Sequence, residues 1–482
     1  MNVLRMAFQE EIQKREDLFF SAEPVLSGYR LTHHLMPPSG WMNDPNGLCF
    51  YEGRYHVFFQ YSPLTAKGGL KFWGHYSSED QLDWRYEGVA LFPDGPMDCH
   101  GTYSGSALEW EGELHVFYTG NVKLEDGNYD YVHEGRKSST IYVKSQDGIR
   151  FGPKRAVLQA KDYPEGYTCH IRDPKVWRED GRWRMLLGGR TAEDRGAALL
   201  YEGESPVSWR FRREMTTREP FGYMWECPDF FVLEGQAVLS VSPQGLSREE
   251  FRFQNLYQSG YFFLEKDWEA REEIPWNFQE WDMGFDFYAP QTFQDKKGRR
   301  LLMAWMGMPA EEEEYQNPTL EEGWQHCMTV PRELRLGKSG ICQYPVRELE
   351  KLRRKGTGLR DRPARVRGPF DLELSLKGGC GGISIGEELF LDYQDDVAVL
   401  RLSQEAGGGR KRRKARIPSG CVDSVRILAD TSAAEIYLNH GEVVFSTRYY
   451  PKAAERMIQI EAEGYEGNVW EMAPMRLTKR QR

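Results

Sequence analysis

A hairpin pattern that recurs five times is the sequence feature that most constrains the fold of this chain. In each copy a short apolar strand, a two-residue turn ending in glycine and a longer apolar strand follow one another, which is typical of an antiparallel hairpin. The copies start about sixty residues apart, and repetition at a regular spacing indicates an array of similar units. Their turns are Glu52-Gly53, Glu111-Gly112, Asp180-Gly181, Glu234-Gly235 and Lys297-Gly298.

Further strands between the hairpins extend the copies. Segments 77–84, 145–151 and 261–268 contain apolar and aromatic residues that suit additional strands beside the hairpins that precede them. Five sheets of about four strands each predict a five-bladed β-propeller. The spacing by itself leaves one alternative open, which is an irregular array of sandwiches or barrels.

The repeat ends near residue 346, where the sequence changes to a short helix-like run and then to a basic stretch with prolines. After residue 369 short segments alternate apolar and polar residues between turns, as the strands of a β-sandwich do. The chain is therefore predicted to be all-β, a five-bladed β-propeller followed by a C-terminal β-sandwich. The predicted parts are an N-terminal extension at 1–30, the propeller at 31–345, a linker at 346–368 and the β-sandwich at 369–482.

The charge of the chain argues against several classes of partner. Its net charge of −10 disfavours nucleic acid, because phosphate binding depends on accumulated Lys and Arg. We interpret the basic run at 410–416, which follows three glycines, as a solvated hairpin tip rather than an anion or RNA site. Residues 1–14 lack the apolar core of a signal peptide, and no later segment resembles a membrane span. We therefore expect a cytoplasmic protein without membrane or nucleic-acid partners, whose oligomeric state stays open.

Cysteine and histidine spacing gives no sign of a metal site. No two of the eight cysteines lie closer than fifteen positions, and the ten histidines include no His-Glu-x-x-His motif. His33 and His34 are sequence neighbours, which would not share one face of a helix. No phosphate-binding loop or dinucleotide motif occurs either. We expect no metal and no cofactor, so that carboxyl groups and water carry the chemistry.

Three of the five copies have an acidic residue where their first strand begins. These residues are Asp44, Asp173 and Glu226. Taken singly, an acid next to proline is usually a turn residue. The first strands of propeller blades, however, all face one channel. Three acids at the same point of the repeat therefore predict a shared catalytic centre. Pro45 should hold Asp44 in an extended conformation at a strand end. Glycoside cleavage uses such carboxyl groups, one to attack the anomeric carbon and one to protonate the leaving oxygen.

Seven segments resemble, in order, the motifs of glycoside hydrolase family 32, which includes invertases, sucrose-6-phosphate hydrolases and fructan hydrolases. The resemblance covers essentially the whole chain after residue 30. The segments are PPSGWMNDPNG at 37–47, FWGH at 72–75, YSGSA at 103–107, RDP at 172–174, WECPD at 225–229, FYAPQ at 287–291 and QYPVREL at 343–349.

The resemblance implies a retaining enzyme that releases fructose from the non-reducing β-fructofuranosyl end of sucrose or sucrose 6-phosphate through a covalent fructosyl-enzyme. It implies that Asp44 is the nucleophile, that Glu226 is the general acid and later the base, and that Asp173 holds fructose hydroxyls. The other positions that it implies in substrate binding are Asn43, Gln60, Trp73, Tyr103, Ser104, Arg172, Tyr288 and Trp305. For Trp73 and Trp305 ordinary packing is an equal alternative.

Two departures from the family pattern bear on substrate preference. Tyr103 stands where the family commonly has Phe, and Phe72 precedes Trp73. A small sugar is the expected partner in every case, whether sucrose, sucrose 6-phosphate or a short fructan. A fructan (inulin or levan) hydrolase or a transfructosylase would use the same intermediate. The alternative from another class is a sugar-binding propeller without catalysis.

Overall fold

The computed structural model describes residues 3–21, 28–308, 315–360 and 363–481. Within these ranges strands dominate, and the α-helices are Val3–Ser21 and Gln404–Gly407. Short 3-10 turns occur at Ala160–Asp162, Trp268–Ala270, Pro318–Leu320, Arg347–Leu352 and Asn439–Gly441. No helix in the described part of the chain combines the length and the apolar character needed to cross a membrane.

Residues 40–345 form five consecutive sheets of mainly antiparallel strands, which make up a propeller-type domain. The first contains Gly40–Tyr51, Arg54–Ser62, Phe72–Ser78 and Asp83–Leu91, with Trp324–Gln325 and Arg476–Lys479 added in parallel at its two edges. The second contains Thr102–Trp110, Glu113–Lys123, Arg136–Ser145 and Arg155–Leu158, and the third Tyr167–Glu179, Arg182–Thr191, Gly196–Ser205 and Ser208–Met215. The fourth contains Met224–Leu233, Gln236–Gln244, Gly260–Phe263 and Gln279–Glu280, and the fifth Tyr288–Gln294, Arg300–Met306, Cys327–Met328, Arg332–Leu336 and Ile341–Pro345.

The hairpin turns have the backbone geometry that their sequences favour. In the first four copies the acidic residue and the glycine both have positive φ, from 47° at Glu52 to 87° at Gly235. A type I′ turn requires positive φ at both central residues and matches the twist of the strands it joins. The fifth turn differs, because Asp295 accepts backbone hydrogen bonds from Lys297 and Arg299, and only Gly298 of the predicted pair has positive φ.

Hydrogen bonds join the first strands of the five sheets into a closed circuit. Asn46 accepts from Gly105, Ser106 donates to Pro174, and Lys175 pairs with Asp229 at 2.9 Å. The circuit closes where Asp229 accepts from Thr292 and where Gln291 accepts from Leu48. All five first strands therefore share one centre, and their residues at one end can meet there.

The N-terminal helix packs on the outer face of the first sheet. The Phe8 ring meets the Phe72 ring edge to face at 5.1 Å, and Phe20 stacks on Tyr86 at 5.7 Å. The Tyr86 hydroxyl donates to Glu16 at 2.6 Å, and Lys479 pairs with the same carboxylate at 3.1 Å. The helix thereby covers apolar surface of a sheet that begins about twenty residues further along the chain.

The C-terminal domain is a β-sandwich-like assembly of ten strands. Its long strands Phe370–Ile385 and Glu455–Met472 pair with each other along most of their length. The remaining strands are Arg353–Leu359, Ala364–Arg367, Leu389–Gln394, Val397–Leu402, Arg412–Arg416, Ser424–Ala429, Ala433–Leu438 and Val443–Arg448. Alternate residues such as Leu372, Ile427 and Ile436 fill its apolar core, as the period of a strand requires.

Part of the basic run at 410–416 is buried, although the sequence suggested a solvated tip, and only Lys411, Arg412 and Arg416 of the run are exposed. Arg410 is only 1% exposed and makes a two-pronged ion pair with Asp286 of the propeller domain, at 2.6 and 2.7 Å. Arg413 is 3% exposed and donates to the side-chain oxygen of Asn255. The prediction was wrong for these residues because partners more than 120 positions away in sequence take up their charge and hydrogen-bonding groups.

A buried charge cluster joins the two domains. Both ring nitrogens of His34 are hydrogen-bonded to carboxylates, to Asp430 at 2.9 Å and to Glu435 at 3.0 Å. Burial lowers the pKa of His34, but these two carboxylates outweigh it and raise the pKa to about 9. Arg332 donates to Glu435 at 2.5 Å and to Asp282 at 3.1 Å. His33, His34 and Asp430 lie close enough together to hold a metal ion, yet these hydrogen bonds already account for both nitrogens of His34.

We predict that Glu435→Gln lowers the free energy of unfolding by about 3–5 kcal/mol, because it leaves the Arg332 and His34 charges buried with one anionic partner fewer. Urea unfolding followed by tryptophan fluorescence measures the change. The control is Glu405→Gln, which removes an exposed ion pair with Lys452 and should leave the unfolding midpoint where it is. Equal midpoints for the two variants would contradict a stabilising role of the cluster.

Candidate active site

Each of the five first strands has a bulge at the end that faces the site. The pairing register shifts between Met42 and Pro45, between Thr102 and Gly105, and at the corresponding places in the other three sheets. Residues in three of the bulges have positive φ, namely Asp173 at 63°, Cys227 at 46° and Ala289 at 49°. A bulge bends a strand and redirects its side chains. The bulges therefore direct side chains at the strand ends toward the common centre.

Asp44 is the first acidic residue of the site. Its Oδ2 atom accepts a hydrogen bond from the Ser104 hydroxyl at 2.6 Å, and its Oδ1 atom accepts one from the Asn43 amide at 3.1 Å. The Cys227 sulfur lies 3.6 Å from Asp44 Oδ2 and also 3.6 Å from Asp173 Oδ2. Asp44 and Asp173 therefore lie on either side of one thiol.

Asp173 is the second acidic residue of the site, and both its carboxylate and its backbone N–H are hydrogen-bonded. Its carboxylate accepts the Cys227 N–H at 3.1 Å, and its own N–H donates to the Thr119 hydroxyl at 2.9 Å. The Arg172 guanidinium lies 3.8 Å from the Asp173 carboxylate. The backbone of Asp173 has a positive φ of 63°, which a non-glycine residue seldom adopts, and such strain is frequent at functional sites.

Glu226 is surrounded by donors. Arg172 donates to its Oε1 atom at 2.6 Å, and Gln244 and the Tyr288 hydroxyl donate to its Oε2 atom at 2.6 and 2.5 Å. His170 in turn accepts a hydrogen bond from Arg172 at 2.6 Å through Nδ1. Burial and the Arg172 charge lower the pKa of His170 to about 3, so this imidazole is neutral and can accept.

The three carboxyl groups differ in how their pKa values are shifted. Burial raises the pKa of Asp173 to about 7, and the charges of Glu226 and Asp44 add to that effect against Arg172. Burial also raises the pKa of Asp44, while Ser104, Asn43 and Lys71 oppose it. Burial acts in the same direction on Glu226, but Arg172 and the Tyr288 hydroxyl outweigh it and lower its pKa. Like charges this close do not all ionise, so the cluster retains a proton near neutral pH.

The channel is closed on the far side of the carboxylates. A cavity of about 10 Å³ remains there, little more than the space of one water molecule. Gln291 fills this position, since its amide donates to the Gly105 carbonyl and accepts the Leu48 N–H. The prolines that follow the strand bulges line the same space, at positions 45, 174, 228 and 290. The space behind the carboxylates is therefore too small for a sugar unit.

The remaining predicted binding residues lie around this centre, but Gln60, Trp73 and Trp305 are almost fully buried. Trp73 is 0% exposed and donates its indole N–H to the Tyr103 carbonyl at 3.0 Å, and Gln60 is 2% exposed and donates to Thr102. In this structure they support the segment that carries Ser104, and a direct sugar contact for them stays a prediction. The Trp305 ring packs near Tyr288, with the ring centroids 6.3 Å apart.

Sequence reasoning missed several residues that contact the site. Gln244 and Thr119 come from second strands, whose proximity to the acids depends on sheet pairing. Cys227 was visible beside Glu226, but nothing in its spacing indicated that it lies between two carboxylates. Lys71 precedes the FWGH motif, and its ammonium group lies 5.1 Å from the centre of the Trp41 ring. Burial lowers the pKa of Lys71 to about 8, and the charge of Asp44 opposes that effect.

Comparisons with known proteins agree with this architecture. Residues 34–345 match the model of the glycosyl hydrolases family 32 N-terminal domain, and residues 396–473 match the family 32 C-terminal model. The sucrose-6-phosphate hydrolase of Bacillus subtilis (strain 168) is 38% identical over 478 residues, which cover 96% of each chain. The raffinose invertase of Escherichia coli is 40% identical over 89% of this chain and 91% of its own.

Solved structures with the same fold include two from this group. The sucrose-6-phosphate hydrolase from Lactobacillus gasseri superposes with a TM-score of 0.85 and 26% identity, over 97% of this chain and 96% of its own. A mutant of a Bombyx mori β-fructofuranosidase in complex with sucrose gives a TM-score of 0.84 and 27% identity over the full length of both chains. Both family models match in chain order and together cover most of the sequence. The chain belongs to glycosyl hydrolases family 32.

Proposed function

We propose that the protein is a retaining glycosidase that releases fructose from the β-fructofuranosyl end of sucrose or sucrose 6-phosphate. The observation that carries this proposal is the convergence of Asp44, Asp173 and Glu226 in one buried cluster. The space behind this cluster is too small for a sugar, which suits a terminal sugar unit, since a longer chain could not extend past the carboxyl groups. The names of the relatives, sucrose-6-phosphate hydrolase, invertase and β-fructofuranosidase, support the same substrate class.

In the first step Asp44 attacks the anomeric carbon of the fructosyl unit, and the bond to the leaving oxygen breaks as Glu226 protonates that oxygen. Ser104 and Asn43 hold the two Asp44 oxygens, so the side chain keeps one orientation during attack. Asp173 accepts hydrogen bonds from fructose hydroxyls and stabilises the positive charge that develops on the ring. In the second step Glu226 takes a proton from water, the water oxygen attacks the same carbon, and the bond from that carbon to Asp44 breaks, which releases fructose and the Asp44 carboxylate.

The proton for the first step comes from the carboxyl cluster. In the ligand-free protein the raised pKa of Asp173 and the lowered pKa of Glu226 make protonation of Asp173 more favourable than protonation of Glu226. Fructose hydroxyls that donate to Asp173 favour its ionised form and so lower its pKa. The proton then favours Glu226. The proton belongs to the coupled group rather than to one residue, and substrate binding redistributes it.

Two further predictions from the sequence are part of this proposal: the number of blades and the residues that bind fructose. The five sheets and their closed circuit of hydrogen bonds support a propeller of five blades. The hydrogen bonds of Asn43, Ser104, Arg172 and Tyr288 to the acidic residues support their assignment to the fructose site. The division into the four predicted parts and the cytoplasmic location stay predictions.

Glu226→Gln should lower kcat/KM for sucrose by roughly 10²- to 10⁴-fold, because the leaving oxygen then departs without a proton. With an aryl β-fructofuranoside the loss in kcat/KM, which reports only the first step, should be much smaller, since an aryl oxygen leaves without protonation. Steady-state kinetics on both substrates measure the difference, with the exposed Glu219→Gln as the control. Full sucrose hydrolysis by Glu226→Gln would contradict the enzyme assignment. An equal loss on both substrates would contradict the acid role.

Lys71→Met should move the acidic limb of the kcat/KM profile for sucrose to higher pH, by up to about one unit. The Lys71 charge favours ionised Asp44, so its removal raises the pKa of Asp44, and more alkaline conditions are needed to form the nucleophile. Assays across the acidic range measure the limb in wild type, in Lys71→Met and in the exposed control Lys67→Met. An unchanged limb, or a shift to lower pH, would show that Lys71 does not act on the nucleophile.

A further inference from the structure

Arg136 has no carboxylate partner within ion-pair distance among the described residues, although it is partly buried beside the active site. Its Nε atom donates to the Tyr131 carbonyl at 3.2 Å, and its Nη1 atom donates to the Asn121 side chain at 2.9 Å and to the Tyr103 hydroxyl at 3.5 Å. Its Nη2 atom makes no hydrogen bond to a described residue. Three neutral acceptors thus fix the guanidinium plane and leave one donor group for a ligand.

A short chain of hydrogen bonds places Arg136 next to the acid side of the pocket. Glu226 accepts from Arg172, Arg172 donates to His170, and His170 donates to the Tyr131 carbonyl at 3.0 Å. Arg136 shares that carbonyl as its acceptor. On its other side Arg136 reaches Tyr103, whose neighbour Ser104 binds Asp44. The guanidinium therefore lies outside the ring of acids, on the side of Glu226, where the leaving group of the substrate must lie.

Two acidic residues of the loop before Arg136 are engaged elsewhere. Asp130 accepts hydrogen bonds from His133 and from backbone N–H groups of its own loop, and Asp126 accepts from the Tyr129 hydroxyl. Some buried arginines of the chain are paired with carboxylates, as Arg410 is with Asp286, whereas Arg448 and Arg456 donate only to carbonyl and hydroxyl oxygens among the described residues. A charged group that is partly buried and unpaired costs free energy unless a ligand supplies the opposite charge.

We propose that Arg136, together with the Tyr103 hydroxyl, binds a phosphate monoester on the leaving group, as in the glucosyl half of sucrose 6-phosphate. This inference rests on the proposed function and names the residues that would select the phosphorylated substrate. The planar guanidinium suits phosphate oxygens. The Tyr103 oxygen accepts from Arg136, so its own proton is available to a phosphate oxygen. This hydroxyl is the one group that a Phe at this position, common in the family, would lack.

The test compares kcat/KM for sucrose 6-phosphate with kcat/KM for sucrose. Arg136→Gln should lower this ratio roughly 10-fold or more, because it removes a charge-assisted hydrogen bond, and Tyr103→Phe should lower it a few-fold. Lys137→Met is the matched control, since Lys137 is exposed and adjacent side chains of a strand point to opposite faces. Product inhibition gives a second readout: Arg136→Gln should weaken inhibition by glucose 6-phosphate and leave inhibition by glucose as it is.

The outcomes separate this inference from the proposed function. A ratio that falls in Arg136→Gln and stays in Lys137→Met, with an unchanged unfolding midpoint, supports the phosphate site. A wild-type ratio near one, an unchanged ratio in Arg136→Gln, or an equal loss for both substrates overturns it, while hydrolysis of sucrose by the wild type leaves the proposed function in place. Failure of the wild type to hydrolyse either substrate overturns the proposed function and this inference with it.

Discussion

The bulge at the end of each first strand is the structural element on which the site depends. Regular pairing would continue the ladder and direct alternate side chains into the sheet interfaces, whereas the bulge releases one or two residues toward the common centre. Five strands do this at the same end of the ring, which brings Asp44, Asp173 and Glu226 together although they are separated by more than fifty residues from one to the next. The closed circuit of hydrogen bonds between the sheets then keeps these strand ends in register.

Gathering three carboxyl groups in a buried pocket has an electrostatic cost, and the surrounding residues offset it unequally. Arg172 favours the charged form of Glu226, and Lys71 favours that of Asp44, while Asp173 is left with a pKa near neutrality. The asymmetry suits a reaction that needs an ionised nucleophile and a proton in the same pocket. Between the domains a buried charge is likewise stabilised by neighbouring opposite charges, since two carboxylates enclose His34 and raise its pKa.

Local signals made a large part of this structure predictable. Two-residue turns such as Glu52-Gly53 are enough to predict their hairpins. The segment around Asp44 predicts both the end of a strand and the acidic residue that lies there. What could not be predicted depends on distant pairing: the contact of Gln244 with Glu226 follows from sheet register, and the burial of Arg410 follows from Asp286, 124 positions earlier. The burial of Trp73 shows the same limit, since a motif does not reveal which of its side chains face the pocket.

Asp44 is the residue that bonds to fructose in the proposed mechanism, and this assignment is the central claim. Its most direct test is to mix the Glu226→Gln variant with an aryl β-fructofuranoside, quench in acid within milliseconds to seconds, digest the protein and measure peptide masses. Without its acid and base the variant should accumulate the intermediate, and one fructosyl unit should be found on Asp44. A fructosyl unit on the peptide that contains Asp173, or no adduct while aryl fructoside is still consumed, would contradict it.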